Sequence, residues 1–263
     1  MFLALTPIKS TLFIIVLIVI VTVFIYTGGA NSDEGPWQLK SFSNDITYGG
    51  TVTKTGGNSY RIDSRTNPLC FPSQVRCNKA LVSYKRYQQP IEGKVVIFEF
   101  DFLIEQYNFE QPPNWWVLFQ DWIRIDPNNR KGNRPISTLE VKSYGNKLYL
   151  RHKDSAFQWQ SDPNRIKQIN NGEILIKVGV SYHIRIELTE STMANSGGMA
   201  FFVNNKVVSN ATYQTKSATQ WRENVQEIGL YHDKQFNTDR NGNNSIRFYI
   251  NNLTRKTQIN QVN

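Results

Sequence analysis

Hydrophobic and polar residues alternate with a period of two along most of the chain after Trp37. This period is typical of β-strands, in which successive side chains point to opposite faces of a sheet. The stretch VVIFEFDFLI (95–104) shows it plainly, with valine or phenylalanine at each even position from 96 to 102. The dipeptide Gly145-Asn146 separates two such stretches and predicts a tight hairpin.

Further stretches with this alternation recur along the chain. They occupy residues 114–126, 138–144, 147–153, 181–188, 199–205, 227–233 and 245–253. No long amphipathic helical period lies among them, and the polar stretch 158–172 is predicted to be a loop or a short helix. Many short antiparallel strands in one chain predict an all-β fold, a two-sheet antiparallel jelly-roll sandwich.

The N-terminal segment TLFIIVLIVIVTVFIY (11–26) departs from this pattern because it is apolar on every face. As a helix it would span about 24 Å, just short of a typical bilayer core. Lys9 precedes it and Asp33 and Glu34 follow it, which favours a cytoplasmic N-terminus and an exported C-terminal part. We predict one N-terminal apolar helix acting as an uncleaved signal anchor, with a cleaved signal peptide and a buried core helix as alternatives.

This reading divides the chain into three parts. Residues 1–30 are predicted to be the signal anchor or signal peptide, residues 31–40 a linker, and residues 41–263 a single β-jelly-roll domain. The domain would be exported and attached to the membrane through residues 11–26, or secreted or periplasmic if the segment is cleaved. We expect it to be a monomer.

The two cysteines fit an exported protein. Cys70 and Cys77 lie close together in LCFPSQVRC (69–77), and in an oxidising compartment they are predicted to form a small disulfide loop. Two free thiols are the alternative. Two cysteines and three scattered histidines do not make a metal ligand set. The sequence identifies no cofactor, and a structural Ca²⁺ ion cannot be read from it.

The charge of the chain narrows the class of partner. Lysine and arginine number 30 against 21 acidic residues, a formal net charge of +9, which favours polyanions. The basic residues are scattered singly along the strands instead of forming a tract, which argues against a nucleic acid.

The stretch NWWVLFQDWIRID (114–126) reads as a strand with three tryptophans beside polar residues. Strict alternation predicts one core-facing set: Trp115, Val117, Phe119, Asp121, Ile123 and Ile125. It predicts an outward set: Trp116, Leu118, Gln120, Trp122, Arg124 and Asp126. On later strands it also predicts outward side chains: Tyr149, Arg151, Lys153, His183, Arg185 and Glu187.

An outward face with tryptophan, tyrosine, arginine and lysine has the chemistry of a groove for an acidic sugar. Aromatic rings cover the apolar face of a pyranose, and arginine binds carboxylates in bidentate fashion. A plain solvated sheet is the alternative. Two exposed indoles on one strand, Trp116 and Trp122, favour the groove.

At this point the sequence resembles a family of polysaccharide lyases that includes heparin lyase I and glucuronan lyase. The resemblance covers roughly residues 90–252 and rests on short motifs in the family's order: WVLFQ (116–120), PISTLEV (135–141), NKLYLRH (146–152), GVSYHIRIEL (179–188), FFVNNKVV (201–208) and EIGLYHDK (227–234). It implies a jelly roll of the concanavalin A type and cleavage of an acidic polysaccharide.

The chain departs from the family pattern at three places. Tyr182-His183 stands at the family's "W-H" position, Asn204-Asn205 replaces its "NG" hairpin, and His232 stands where an arginine usually follows the tyrosine. The hairpin change is conservative because asparagine tolerates a left-handed backbone. The loss of the arginine bears on substrate binding and on activity.

The resemblance implies a β-elimination, in which a uronate carboxylate is neutralised, a base removes the C5 proton, and an acid protonates the leaving oxygen. Gln120 is the candidate for neutralisation, and Tyr231, in the family's tyrosine position, for acid or base. His152 is the candidate base, although alternation turns it toward the core, and His183 and His232 are alternatives. Substrate binding is assigned to a larger set: Trp116, Trp122, Arg124, Tyr149, Arg151, Lys153, Arg185 and His232.

Other functions stay open. A carbohydrate-binding, lectin-like sandwich would use the same groove without abstracting a proton, and a structural protein would pack that face on a partner. A glycoside hydrolase needs two opposed carboxylates. Glu99 and Asp101 lie on one face of one strand, but alternation pairs them with no second acidic strand.

Overall fold

The computed structural model of the chain describes residues 38–40, 51–64, 79–86, 91–108, 115–124, 134–156, 167–191, 193, 196–213, 223–232 and 245–259. All of these ranges lie within the compact unit Asp33–Asn263. The predicted N-terminal helix (11–26), Cys70 and Cys77 lie outside them. Within the described ranges, no helix is long and apolar enough to cross a membrane.

Fourteen strands occupy these described ranges. In chain order they are β1 (Gln38–Lys40), β2 (Thr51–Gly56), β3 (Ser59–Asp63), β4 (Lys79–Arg86), β5 (Lys94–Asn108), β6 (Trp115–Arg124), β7 (Arg134–Tyr144), β8 (Lys147–Ala156), β9 (Lys167–Ile176), β10 (Ser181–Thr189), β11 (Gly197–Val203), β12 (Lys206–Tyr213), β13 (Glu223–His232) and β14 (Ser245–Ile259). β1 lies inside the predicted linker, and β9 begins within the segment predicted to be a loop or short helix. The predicted hairpin at Gly145-Asn146 is confirmed, because it joins β7 to β8.

The strands form two antiparallel sheets of seven described strands each. The first sheet has the order β1-β4-β13-β6-β7-β8-β9, and the second has the order β12-β11-β10-β5-β14-β3-β2. Neighbours in each sheet are often far apart in the sequence, as when β14 pairs with both β3 and β5. The predicted all-β, two-sheet jelly-roll sandwich is therefore confirmed.

The core lies between the two sheets and is rich in aromatic residues. Phe98 of β5 packs on Phe119 of β6 with ring centroids 5.1 Å apart, so these two rings join the second sheet to the first. The phenylalanines at even positions of β5 are fully buried, as the alternation predicts. Burial of each large side chain contributes about 1.5–3 kcal/mol to stability, which makes this row a main source of cohesion between the sheets.

A β-bulge in β6 changes the faces that alternation predicts for this strand. Val117 pairs with Glu140 and Phe119 pairs with Leu139, so Leu118 is an extra residue without a partner position on β7. Such an insertion shifts the alternation by one residue.

The bulge explains why the predicted faces are only partly right. Trp116 and Leu118, which alternation turns outward, belong to the core, whereas Val117 lies outside the core cluster. The Trp116 ring packs on Phe102 and Phe248 of the second sheet, with centroids 6.2 and 5.0 Å away. Beyond the bulge, the predicted inward face of Phe119 is confirmed.

The two sheets approach each other closely where β9 meets β12. A Cβ atom added to Gly172 of β9 would lie 2.5 Å from the Val208 carbonyl oxygen of β12, and the φ of Gly172 is +155°. Only glycine allows this approach without displacement of the backbone. One edge of the sandwich is therefore closed by direct contact between the sheets.

Candidate functional site

The polar side of the first sheet faces away from the core and carries five of the predicted site residues. We call it the polar face. It is formed by the side chains of Ser83, Val117, Gln120, Thr138, Glu140, Lys142, Tyr149, Arg151, Lys153, Glu227 and Tyr231. These residues alternate with core residues such as Leu139 and Leu150 along their strands.

Strand register brings a row of polar residues together at the centre of this face. Glu227 of β13 pairs with Gln120 of β6 and with Ser83 of β4, and Gln120 also pairs with Thr138 of β7. Thr138 in turn pairs with Lys153 of β8. Residues in such positions on neighbouring strands have side chains on the same face.

Gln120 and Glu227 form a buried hydrogen-bonded pair in this row. The Nε2 amide of Gln120 donates to Oε2 of Glu227, and the two residues are 0% and 4% exposed. The other end of the Gln120 amide, Oε1, is buried and accepts no hydrogen bond from the described residues. A buried acceptor left in this state is costly, which makes it a candidate contact point for a ligand.

A second cluster on the polar face consists of Glu140, Arg151 and Lys153. Arg151 donates to Oε2 of Glu140 over 2.7 Å, and the Lys153 ammonium lies 3.6 Å from Oε1 of the same carboxylate. Both Glu140 and Arg151 are buried. Burial, together with the charge of Arg151, lowers the pKa of nearby Lys142, while Glu140 opposes this shift. The cluster is a largely buried group of two cations and one carboxylate, and it keeps a net positive charge.

Tyr231 joins the polar face through the geometry of β13. It pairs with Val117 and is half-buried, and the register between β13 and β6 shifts between Ile228 and Tyr231. Gly229 allows β13 to run close to β4, because an added Cβ would lie 2.2 Å from the Ala80 carbonyl oxygen. The close packing of β13 against β4 therefore explains the glycine of the EIGLYHDK motif.

The structure brings together five of the predicted site residues and separates three others. Those on the polar face are Gln120, Tyr149, Arg151, Lys153 and Tyr231. At Trp122, Arg124 and His232 only the backbone is described; Trp122 pairs with Val225 and Arg124 with Glu223. Trp116, His152 and Arg185 lie elsewhere.

Arg185 lies on the outer face of the second sheet. Its guanidinium is 3.9 Å from the Glu99 carboxylate and also donates to Glu187. The neighbouring His183 is 3.1 Å from Asp101. The expectation that Arg185 shares a groove with Gln120 is therefore wrong, because β10 belongs to the other sheet. Glu99 and Asp101 lie on this same outer face.

His152 faces the core, as strand alternation indicates, and not the polar face that its candidate role as a base requires. It is fully buried, and its Nδ1 is 2.7 Å from the Ser209 hydroxyl of β12. Its Nε2 is also buried and has no partner among the described residues. Burial lowers the pKa of His152 to about 4.

The buried histidine predicts a pH-dependent stability. The folded protein keeps His152 neutral down to about pH 4, whereas the unfolded chain protonates it below about pH 6.5. The free energy of unfolding is therefore unaffected by His152 protonation above about pH 6.5. It falls by roughly 3 kcal/mol as the pH drops toward about 4, because the unfolded chain takes up a proton that the folded protein does not. His152→Gln should reduce the slope of unfolding free energy against pH in this window, measured by urea denaturation. The half-exposed His183 supplies the control, His183→Gln, which should keep most of the slope.

Two carboxylates of the polar face, Glu140 and Glu227, were not among the predicted site residues. Each occupies a position opposite to core residues in its strand, Leu139 and Ile228, so alternation alone contains the signal. Alternation does not contain the strand register that places Glu227 beside Gln120.

Among the described residues, no group of three or more His, Cys, Asp or Glu is arranged to hold a metal ion.

The fold and the polar face together define a two-sheet β-sandwich with a row of polar and charged groups across one sheet. No protein-family model matches the chain, and no curated protein matches its sequence. Its structure is similar to that of an endo-beta-1,4-glucuronan lyase from the fungus Trichoderma reesei, with a TM-score of 0.57 and 14% identity, covering 86% of this chain and 92% of that chain. An alginate lyase from Pseudomonas aeruginosa gives a TM-score of 0.48 and 12% identity, covering 76% and 74%. The similarity to the glucuronan lyase is one of fold.

Proposed function

We propose that this protein is a polysaccharide lyase-like enzyme that cleaves a uronate-containing polysaccharide by β-elimination. The observation that supports the proposal most is the presence of Gln120, Tyr231 and two cations, Arg151 and Lys153, on one face of one sheet. The fold similarity to a glucuronan lyase is consistent with this reading.

Each residue has a chemical part in the proposed reaction. The Gln120 amide would donate hydrogen bonds to the uronate carboxyl and stabilise the enediolate-like charge that develops when the C5 proton leaves. The Tyr231 phenol would move a proton at the reacting centre. Arg151 and Lys153, with the neighbouring Lys142, would attract the flanking carboxylates of a polyanionic chain.

The proposal extends to features that the sequence predicts outside these contacts. Trp122, Arg124, Tyr149 and His232 are proposed to contribute to the sugar groove. The domain is proposed to be exported, with a disulfide between Cys70 and Cys77 and a signal anchor or signal peptide at residues 11–26. The oxidising environment that such a disulfide needs agrees with a polysaccharide substrate outside the cytoplasm.

The alternative is a lectin-like sandwich that binds the same polysaccharide without cleaving it. The pairing of Glu140 with Arg151 and Lys153 favours this alternative, because one carboxylate already holds both cations. Gln120 likewise already donates to Glu227. A binding protein tolerates such pairs better than an enzyme that needs strong, free donors.

The first experiment measures the ultraviolet absorbance of the unsaturated uronate that β-elimination creates. The full-length chain is added in turn to glucuronan, alginate and heparin, and a rise with any of them supports the lyase. Gln120→Ala should remove the rise, whereas Arg185→Ala, on the outer face of the other sheet, should preserve it. A flat trace with all three polymers, together with measurable binding to one of them, would favour the lectin.

A further inference from the structure

We propose that Glu227 is a positioning residue that decides which end of the Gln120 amide meets the sugar, and that uronate binding protonates Glu227. The inference rests on the proposed function and concerns the same site. It starts from the buried pair in which Gln120 Nε2 donates to Glu227 Oε2 while Gln120 Oε1 has no donor among the described residues.

The chemistry of the two side chains gives the pair two states. An ionised carboxylate only accepts hydrogen bonds, whereas an amide donates at nitrogen and accepts at oxygen. With Glu227 ionised, one of the two N–H groups of Gln120 is therefore held by the carboxylate, and the other end of the amide is an oxygen. That oxygen would repel the carboxylate of a uronate and would suit a hydroxyl group instead.

Protonation of Glu227 reverses this arrangement. The new O–H of Glu227 can donate to Gln120 Oε1 once the amide has rotated by half a turn, and both N–H groups of Gln120 are then available to the uronate carboxylate. One proton is taken up from solvent for each uronate bound, and no covalent bond to carbon changes. The state that neutralises the substrate is thus the state in which Glu227 is an acid.

The surroundings of Glu227 support this reading. On β4 it faces Ser83, whose hydroxyl is buried without a partner among the described residues, and on β6 it faces Gln120. On the same face, Arg151 and Lys153 of β8 are paired with Glu140 of β7.

Further charged residues occupy paired positions on the neighbouring strands. On β4, Lys79 and Lys85 pair with Tyr231 and Val225 of β13. Along β6, Arg124 pairs with Glu223. Lys142 lies further along β7, where it pairs with Trp115. Because other ionisable residues lie on these strands, a variant of Glu227 itself is needed to assign any pH dependence to this residue.

The test measures the Kd of the full-length protein for a glucuronan, alginate or heparin oligosaccharide as a function of pH. It uses a range in which the uronate carboxyl stays ionised. If binding takes up one proton, affinity should weaken by about tenfold per pH unit above the pKa of Glu227. Calorimetry in two buffers of different ionisation enthalpy should show uptake of one proton by the wild-type chain, which requires no variant.

Glu227→Gln is the decisive substitution because glutamine resembles the protonated acid. Its amide can donate to Gln120 Oε1 at every pH, so binding should become independent of pH and keep its low-pH strength. Glu187→Gln, on the outer face of the second sheet, is the matched control and should leave the pH dependence unchanged. Thermal unfolding of both variants checks that they fold.

The outcomes separate this inference from the proposed function. Binding and cleavage with a flat pH profile and no proton uptake would overturn the role of Glu227 and leave the lyase in place. Loss of binding in a folded Glu227→Gln protein would also overturn it. If neither wild type nor variant binds a uronate oligosaccharide at any pH, the proposed function fails and this inference fails with it.

Discussion

Replacement of Tyr231 by phenylalanine is expected to lower kcat for the proposed β-elimination by about 10²–10⁴-fold, the usual contribution of a positioned acid or base. The change removes only the phenolic oxygen, and the ring stays beside Val117 on the polar face. KM and the Kd for the polysaccharide should therefore change little. The ultraviolet assay of the unsaturated product measures kcat, and equilibrium binding measures Kd.

A matched variant separates chemistry from packing at this site. Tyr149→Phe removes a hydroxyl from another half-buried tyrosine of the polar face, whose ring packs edge-on against Tyr144 at 5.4 Å. This variant should retain most of the turnover. If Tyr231→Phe retains full turnover as well, Tyr231 is not the acid or base. If the wild-type protein and both variants bind the polysaccharide but none of them turns it over, the lectin-like alternative gains support.

Replacement of Trp116 by alanine is expected to destabilise the fold by about 3–5 kcal/mol, the range for a large aromatic residue removed from a core. The indole is fully buried and bridges the two sheets through Phe102 and Phe248. The remaining cavity would lie at their interface, where neighbouring rings cannot easily close it. Urea denaturation gives the change in unfolding free energy.

The comparison with Tyr149→Ala makes this result informative. Tyr149 is half-buried on the polar face, so its truncation should cost much less stability and act mainly on sugar binding. A sugar-binding Trp116, as alternation predicts, would give the opposite result: weak binding with nearly unchanged stability. That outcome would mean that the bulge at Leu118 does not have the described geometry.

The strands and the two-sheet fold class are predictable from the sequence because burial of one face imposes a period of two. The row of phenylalanines in β5 follows this rule without exception from Phe98 to Phe102. The bulge in β6 is not predictable in this way, since the sequence pattern does not show where one extra residue is inserted. It reverses the faces of Trp116 and Val117 but leaves Phe119 and Gln120 as alternation places them.

The assignment of residues to a common site has a different limit. Alternation says that Arg185 and Arg151 both point outward, but it does not say that β10 and β8 belong to different sheets. The pairing of Glu227 with Gln120 is similar, because it joins residues 107 positions apart in the chain. Such contacts depend on strand order, which a local pattern does not contain.

The contact between β9 and β12 affects how the molecule behaves when it is concentrated. The outermost strand of an open sheet exposes unpaired backbone groups, and a strand of another molecule can add to them. Here the last strand of one sheet lies against the last strand of the other, at Gly172 and Val208. The His152–Ser209 hydrogen bond reinforces the contact. A larger residue at position 172 would separate β9 from β12. Both edge strands would then be exposed, and strands of other molecules could add to them, which leads to aggregation.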